Sequence, residues 1–374
     1  MSSAFPGLTI GDLKAKIAII QGGMGVGISM SSLASAVAKE GGIGVISAAE
    51  IGFIKDYFFK NPQQANRDAL TEEIKKAKSA TDGIIGVNIM VAMSEFLDLI
   101  EVSIDAGADI LFFGAGLPLG VPIKKIKNSN TKIGVIVSSD RATKLIFKYW
   151  DRHYNHIPDA VVVEGPKAGG HLGFKYEQIN DPAYALENLI GPVKKALEPF
   201  QEKYSKRIPV IAAGGIYTGA DIYKFINIIG ADGVQMATRF VATYECDADI
   251  AFKEAYIKAK KEDIVIIKSP VGLPGRAIRN RFLEEVEKGK KQPFKCIWQC
   301  LKGCEYRKAP YCITQALINA QKGRFSGGFA FAGANAYRVD RIVSVKDLIE
   351  ELKRDYINTF ENARNNRVGG IRDV

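Results

Sequence analysis

The chain has 374 residues, 47% hydrophobic and 25% charged, which is the composition of an ordinary globular protein with material for a large core. Its 51 basic and 41 acidic residues give a net charge of +10, yet the two signs alternate along the same segments, as on solvated helix faces rather than nucleic-acid-binding surfaces. Without a signal-like start or a membrane-spanning apolar run, we expect a cytoplasmic protein with no membrane or nucleic-acid partner. The basic excess favours acidic ligands, such as a phosphorylated cofactor, a dinucleotide or an acidic carrier protein.

Eight apolar runs rich in Val, Ile, Ala and Gly recur between residues 17 and 240. Because these runs are nearly continuous and do not alternate with polar residues, they indicate buried parallel strands. The predicted strands are residues 17–23, 43–47, 84–90, 110–116, 133–137, 160–165, 210–215 and 233–240.

Helical patterns separate most of these runs. Eight strand–helix units predict an α/β fold, a (β/α)8 TIM barrel, whose active site lies in the loops that follow the strands. A doubly wound sheet is the alternative, but the glycine loop at 22–27 lacks the spacing of a dinucleotide-binding turn. The predicted helices are residues 29–41, 93–107, 141–150, 182–198 and 218–230.

Two segments lie outside the plain repeat. Residues 49–83 predict an inserted excursion after the second strand, with a helix of its own. The end of the chain holds four of the five cysteines and a predicted helix over 345–364. We therefore expect a barrel domain at 1–263 and a mostly helical C-terminal lid or cap at 264–374.

Glycine-rich loops follow the seventh and eighth predicted strands. In a (β/α)8 barrel these two loops bind phosphate through backbone N–H groups, which glycine allows to approach the ligand closely. Gly214, Gly215, Ala237 and Thr238 are therefore the predicted phosphate-binding residues. Tight turns without a ligand are the alternative interpretation.

The first loop and the third strand add a surface for a flat ligand. Gly22, Gly23 and Met24 end the first strand, and Asn88 interrupts an otherwise apolar strand. A buried amide needs a hydrogen-bond partner, which is either the ligand or a neighbouring strand. A flat heterocycle with polar edges and a phosphate tail, such as FMN, meets these requirements. A flavin-free barrel that binds a phosphorylated ligand, as an enzyme or as a binding module, is the alternative.

Six motifs together resemble the FMN-dependent nitronate monooxygenase (2-nitropropane dioxygenase) family, and equally the related flavin-dependent enoyl-acyl-carrier-protein reductase II. The likeness covers about residues 10 to 285 and implies a TIM barrel that holds FMN. The motifs are QGGM (21–24), GGIGVIS (41–47), GVNIM (86–90), EGPKAGGHLG (164–173), IPVIAAGGI (208–216) and GVQMATRF (233–240).

The resemblance implies a position for each motif around FMN. Gly22, Gly23 and Met24 would line the isoalloxazine ring, and Asn88 would bond the edge of that ring. Glu164 would lie near the ribityl chain or the ring.

The resemblance also implies which residues hold the phosphate. The family usually has glycine where Ala237 stands, so the extra methyl group needs more room. The implied phosphate contacts are Gly214, Gly215, Gln235, Met236, Ala237 and Thr238.

His171 follows the sixth predicted strand, behind Gly169 and Gly170. These paired glycines would let the turn approach FMN, and in the family this histidine projects toward the flavin N5. Neutral imidazole near pH 7 can accept a proton from a carbon beside a nitro group, or hold a substrate carbonyl. We therefore predict that His171 is catalytic, and that His153 and His156 in a polar segment are surface residues.

Two reactions fit the resemblance. The first is oxidation of alkyl nitronates with O2 to carbonyl compounds and nitrite. The alternative is NAD(P)H-dependent reduction of an enoyl thioester, with acyl carrier protein as a partner, or of a quinone or flavin. The stretch 268–282 contains AIRN, as in the reductases, but lacks the histidine expected shortly before it. Arg276 in this stretch is a candidate substrate contact, with a solvated helix face as the alternative.

Cys296, Cys300, Cys304 and Cys312 follow one another at spacings of four, four and eight. On a helix the first three would share one face, where thiolates could gather around zinc or an iron–sulfur cluster. The C-x2-C pairs usual in zinc ribbons are missing, and the family requires no metal. We therefore predict free buried thiols and no metal, with a metal cluster or a redox role as alternatives.

A glycine-rich turn around Gly333 and Asn335 precedes the final predicted helix. Related flavoproteins return a small polar loop over the flavin at such a point, so Asn335 is a candidate substrate contact. A homodimer that packs through the appended segments would also fit this sequence.

Overall fold

The computed structural model describes residues 5–291 and 294–369, and the strands lie mostly where the apolar runs predict them. Their bounds are β1 Leu8–Ile10, β2 Leu13–Ala15, β3 Ile19–Gln21, β4 Ile43–Ser47, β5 Ile84–Met90, β6 Ile110–Gly114, β7 Lys132–Val137, β8 Ala160–Glu164, β9 Gly170–His171, β10 Val210–Ala213, β11 Gly233–Met236, β12 Ile264–Lys268 and β13 Pro274–Ile278.

Helices connect the barrel strands and continue beyond them. Among the described helices, none has both the length and the apolar content that crossing a membrane requires. Their bounds are α1 Ser31–Lys39, α2 Pro62–Ala80, α3 Phe96–Asp105, α4 Ile123–Lys127, α5 Asp140–Tyr154, α6 Leu186–Tyr204, α7 Gly219–Tyr223, α8 Thr238–Val241, α9 Ile250–Lys258, α10 Arg281–Glu287, α11 Ile313–Gln321 and α12 Val345–Gly369.

Strands β3 to β8, β10 and β11 form a closed parallel barrel. Closure comes from the pairing of β11 with β3, and every neighbouring pair is parallel. The (β/α)8 barrel is therefore confirmed, and the doubly wound alternative is wrong. The predicted eighth strand was too long, because Thr238 begins a short helix instead of continuing β11.

The barrel has a packed interior that is closed at one end. Alternate strand residues such as Val162 and Ile211 point inward and pack around Phe112. Leu8 and Ile10 of the β1–β2 hairpin join this cluster and close the end where the strands begin. Each such side chain stabilises the fold by about 1.5–3 kcal/mol. Only the carboxyl ends of the strands are left to carry a ligand site.

The two irregular segments are present as expected. The excursion contains a 3-10 turn at Ile51–Ile54 and then α2. In the C-terminal region, α12 packs against α7 so closely that a Cβ on Gly219 would lie 2.2 Å from the Leu352 carbonyl oxygen. This region contains α10, α11 and α12, irregular segments between them, and the β12–β13 hairpin, which pairs with β9 of the barrel loop. The division at residue 263 stays a prediction.

Two local predictions were wrong. His153 is exposed, but His156 is half-buried and stacks on Trp150 with ring centroids 6.1 Å apart, and burial lowers its pKa. The cysteine segment is not helical between residues 294 and 312, since α11 begins only at Ile313. The first three cysteines of this segment therefore do not share a helix face, and the predicted burial holds for Cys300 but not for Cys296, Cys304 and Cys312, which are half-buried.

Candidate functional site

The first and eighth barrel loops meet at the mouth of the barrel. The Gly22 N–H donates to the Met236 carbonyl at 2.8 Å. A Cβ on Gly22 would lie 3.5 Å from the Ala237 Cβ and 3.4 Å from the Gln235 Cγ. The Met236 side chain is buried in the outer core, so only its backbone can face the mouth. The predicted ring and phosphate motifs are thus brought together.

Gly23 lies directly against Asn88. A Cβ on Gly23 would lie 2.4 Å from the Asn88 Cβ, so no larger residue fits there without moving the loop. The neighbouring Met24 is half-buried, and its N–H donates to the Ser29 hydroxyl at 2.8 Å. The Asn88 carbonyl accepts from the Ala48 N–H at 3.0 Å, whereas its side-chain amide has no hydrogen-bond partner among the described residues. The Asn88 amide can therefore form hydrogen bonds with the polar edge of a bound ring.

Backbone N–H groups are free at the loops after β10 and β11. Gly214 and Gly215 have φ angles of +96° and +87°, a conformation that favours glycine. Within the described part of the chain, no acceptor takes up the N–H groups of these two residues or of Ala237 and Thr238. Several N–H donors at one place form an anion site, so these loops suit a phosphate group.

The turn before α12 closes over these loops. The Asn335 Nδ2 donates to the Gly215 carbonyl at 2.7 Å, and the Ala334 N–H donates to the Lys167 carbonyl at 3.0 Å. A Cβ on Gly333 would lie 2.5 Å from the Thr238 hydroxyl oxygen. Asn335 therefore fastens the C-terminal turn to the candidate phosphate loop, and its contact with substrate stays a prediction.

Glu164 ends β8 beside Ala213 of β10. Burial raises the pKa of its carboxyl to about 7, and this group has no hydrogen-bond partner among the described residues. Near neutral pH a large share of this carboxyl is therefore protonated, so it can donate as well as accept a hydrogen bond. Such a group at the mouth suits the polar part of a ligand.

The GGH segment forms a short strand, β9, above the mouth. Gly170 has a φ of +77°, and a Cβ on Gly169 would lie 2.6 Å from the Ala332 carbonyl carbon, so both positions need glycine. His171 pairs with Gly275 of β13, and its ring meets Phe331 edge-on with centroids 5.0 Å apart. The strand pairing with Gly275 and the ring contact with Phe331 together fix the position of the His171 imidazole.

Ser269 holds one nitrogen of the His171 ring. Its hydroxyl oxygen lies 2.7 Å from the Nε2 atom, and the serine is 3% exposed. Burial lowers the pKa of His171 to about 4, so the ring is neutral at physiological pH. With one ring nitrogen held, the other is left for a ligand. Sequence reasoning missed Ser269, because the two residues are 98 positions apart.

Arg276 contacts the loop that leads from β8 to the GGH segment. Its guanidinium donates to the carbonyls of Pro166 at 2.5 Å and Ala168 at 2.7 Å. Arg276 is 6% exposed and lies in β13, so the alternative of a solvated helix face is wrong, and burial lowers its pKa to about 10, which still leaves it charged. Arg276 therefore stabilises the loop between β8 and β9 and adds positive charge there. Its predicted contact with substrate stays a prediction.

Two buried carboxyl groups behind the second loop were also missed. Glu50 is 4% exposed, neither of its carboxyl oxygens has a hydrogen-bond partner of good geometry among the described residues, and the Trp298 side chain only partly offsets the effect of burial on its pKa. Burial and the charge of Glu95 raise the pKa of Glu50 to about 8, and burial raises the pKa of Glu95 to about 7. Asn66 donates to Glu95 at 2.8 Å. Glu50 is therefore mostly protonated at neutral pH, which lowers the cost of burying it.

Residues 8–355 match the model of a family described as nitronate monooxygenase. Curated relatives include a probable nitronate monooxygenase of Staphylococcus saprophyticus, 28% identical over 74% of this chain and 79% of the relative. Another, from Staphylococcus aureus, is 29% identical over 73% of this chain and 78% of the relative.

Solved structures give two further likenesses. FabK from Thermotoga maritima, an enoyl-acyl-carrier-protein reductase II, superimposes with a TM-score of 0.73 at 28% identity, covering 94% of this chain and 96% of FabK. A nitroalkane oxidase from Streptomyces ansochromogenes has a TM-score of 0.70 at 22% identity, covering 93% and 98% of the two chains, which supports the fold alone.

Proposed function

Because the chain belongs to the nitronate monooxygenase family and is therefore an oxidoreductase, we propose that it uses FMN to oxidise alkyl nitronates with O2 to carbonyl compounds and nitrite. The observation that carries the proposal is the neutral imidazole of His171, half-buried at the barrel mouth with one nitrogen held by Ser269. A neutral, fixed hydrogen-bonding group at this place suits a small anionic substrate.

The residues of the mouth fit FMN. The unpartnered N–H groups of Gly214, Gly215 and Thr238 would hold the phosphate, and the free amide of Asn88 would bond the edge of the ring. Gly23 lets the first loop pack directly against the strand that carries Asn88, since a Cβ there would collide with Asn88. Glu164 would meet the ribityl chain or the ring as a partly protonated carboxyl.

Bound FMN would supply the electron acceptor for the substrate carbon. His171 is a weak base, because its pKa of about 4 lies far below the pH of the cell. A nitronate has already lost the proton that a nitroalkane must give up, so His171 would only have to donate an N–H to a nitro oxygen. The structure thus favours nitronates over neutral nitroalkanes as substrates.

Reduction of an enoyl thioester is the second candidate. It is favoured by the likeness to FabK, which extends over 94% of this chain. NADH or NADPH would then be the co-substrate, acyl carrier protein a partner, and His171 would hold the thioester carbonyl. A quinone would be an alternative acceptor of the hydride that NADH or NADPH supplies.

Turnover in air separates the two candidates. With an alkyl nitronate we expect consumption of O2 and release of nitrite in matching amounts, without any nicotinamide. Oxidation of NADH or NADPH that depends on an enoyl thioester, with no nitrite from the nitronate, would reject the proposed reaction. Absence of flavin from the purified protein, and no flavin uptake from added FMN, would reject both.

A further inference from the structure

Four of the five cysteines surround one cavity outside the barrel mouth. Cys296, Cys300, Cys304 and Cys312 all line a cavity of about 120 Å³. Its other walls include the apolar side chains Phe58, Trp298 and Ile318. All five cysteines are free, and the fifth, Cys246, is buried elsewhere with its thiol donating to the Ile28 carbonyl at 3.4 Å. The family reaction gives these four thiols no role.

The four thiols lie close to one another. Their polar contacts are few, since the Cys296 thiol donates to the Trp298 carbonyl at 3.0 Å and the Cys300 sulfur lies 3.4 Å from the Thr314 hydroxyl oxygen. Four thiols gathered around one cavity indicate a ligand that they share.

A single metal ion does not fit the arrangement. Within residues 5–291 and 294–366, no group of three or more His, Cys, Asp or Glu side chains is placed to hold one ion. A tetrahedral zinc ion with Zn–S bonds of about 2.3 Å would bring its thiolates to roughly 4 Å from one another. In an iron–sulfur cluster the thiolates bind different iron atoms, so they lie farther apart than they would around one zinc ion.

We propose that Cys296, Cys300, Cys304 and Cys312 bind an iron–sulfur cluster in this cavity. The four-cysteine ligand set is the one that such clusters use, whereas the C-x3-C-x3-C-x7-C spacing of this segment differs from the ferredoxin spacings. Cys312 is the residue immediately before α11, so its backbone is held at the start of that helix.

The backbone of the segment is fixed against the barrel. The Ser94 N–H donates to the Cys300 carbonyl at 3.0 Å, and the Lys302 N–H donates to the Ala92 carbonyl at 2.9 Å. Leu301 forms a β-bridge with Met93 in the same loop, which follows β5. The ligand segment is therefore held beside the loop after the strand that carries Asn88.

The surrounding charge also suits a cluster. A cluster with four thiolate ligands is negatively charged, and Lys295 is a basic residue that lines the cavity, whereas Lys302 donates to the Val91 carbonyl and Lys308 pairs with Glu305. Positive groups and hydrogen bonds near the sulfurs stabilise such centres.

The test is the iron and acid-labile sulfide content of protein purified without oxygen. We expect about four iron and four sulfide per wild-type chain. Cys304→Ser and Cys312→Ser should lose most of both, whereas the matched control Cys246→Ser should keep them. Flavin content and circular dichroism of each variant report folding, and Cys296→Ser provides a further variant should either of the first two fail to fold.

Three results would overturn the proposal. The first is wild-type protein that holds no stoichiometric iron after anaerobic reconstitution with iron and sulfide. The second is equal iron in Cys304→Ser, Cys312→Ser and Cys246→Ser, which marks adventitious metal. The third is one zinc per chain without sulfide. Because metal content is measured apart from turnover, these outcomes leave the proposed reaction untouched.

Discussion

At the scale of single residues, the surroundings of His171 determine the protonation state of its ring. The ring is buried against Phe331 and hydrogen-bonded by Ser269, and burial lowers its pKa to about 4. It therefore stays neutral over the whole physiological pH range. An imidazole in water would titrate near pH 6.5 and change its charge within that range.

His171→Ala should lower kcat/KM for a nitronate by about 10- to 100-fold, because a hydrogen bond to a charged group contributes about 1.5–3 kcal/mol. The ratio of the wild-type value to the His171→Ala value should stay constant between pH 5.5 and 8, since the ring is protonated only near pH 4 and Glu164, with a pKa of about 7, titrates in both proteins. His153→Ala, which changes an exposed histidine, should leave the rate unaltered. A ratio that changes around pH 6.5 would contradict the neutral state of the ring.

Ser269→Ala should lower kcat by about 3- to 10-fold, the effect of one hydrogen bond, with KM and flavin content little changed. The informative measurement is a double-mutant cycle, because a residue that acts through His171 has no effect once the imidazole is gone. Ser269→Ala should therefore change nothing in the His171→Ala background, while the exposed Ser79→Ala is silent in both. Additive losses would show that Ser269 only supports the fold.

At the scale of elements, the mouth depends on close packing between β3 and β5. Gly23 follows β3, and a Cβ there would lie 2.4 Å from the Asn88 Cβ and 3.2 Å from a Val45 methyl group. These atoms belong to stiff parts of the neighbouring strands, so they cannot move aside without strain. The same contact that fixes the glycine also sets the position of the Asn88 amide.

Gly23→Ala should lower the free energy of unfolding by about 1–3 kcal/mol, the usual cost of overpacking. It should also weaken flavin binding, because the loop or Asn88 must shift. Gly120→Ala is the matched control, since nothing lies within 4 Å of a Cβ at that position. Chemical denaturation and a titration with FMN measure the two effects, and a Gly23→Ala protein that binds FMN normally would contradict the geometry.

Some strands could be predicted from the sequence, and others could not. The strands at 43–47 and 84–90 were predicted to the residue, because continuous Val and Ile runs are a strong local signal. The three-residue strands of the β1–β2 hairpin were missed, since they are too short for a period to register. The β12–β13 hairpin was also missed, because its pairing with β9 is set by tertiary contacts.

At the scale of the whole molecule, the C-terminal region completes the candidate site. Asn335 bonds Gly215, and α12 packs on α7, the helix that follows the candidate phosphate loop. Neither contact could be read from sequence, although the motifs on each side could. Ligand binding at the mouth should therefore stabilise both regions together.

FMN should stabilise the apoprotein by about 2.7 kcal/mol at a free concentration of 100 Kd, because it binds only the folded state. Riboflavin, which lacks the phosphate, should stabilise it far less at the same concentration, since the free N–H groups after β10 and β11 would have no anion to bind. Denaturant midpoints at matched ligand concentrations give the comparison. Equal stabilisation by FMN and riboflavin would show that these N–H groups do not bind the phosphate.

The most direct test of the account follows the visible absorbance of the bound flavin in the absence of oxygen. Mixing with an alkyl nitronate should bleach the flavin, and admitting air should restore its colour with release of nitrite. NADH or NADPH should produce no comparable bleaching. A flavin that is bleached by a nicotinamide and does not respond to the nitronate would contradict the central claim.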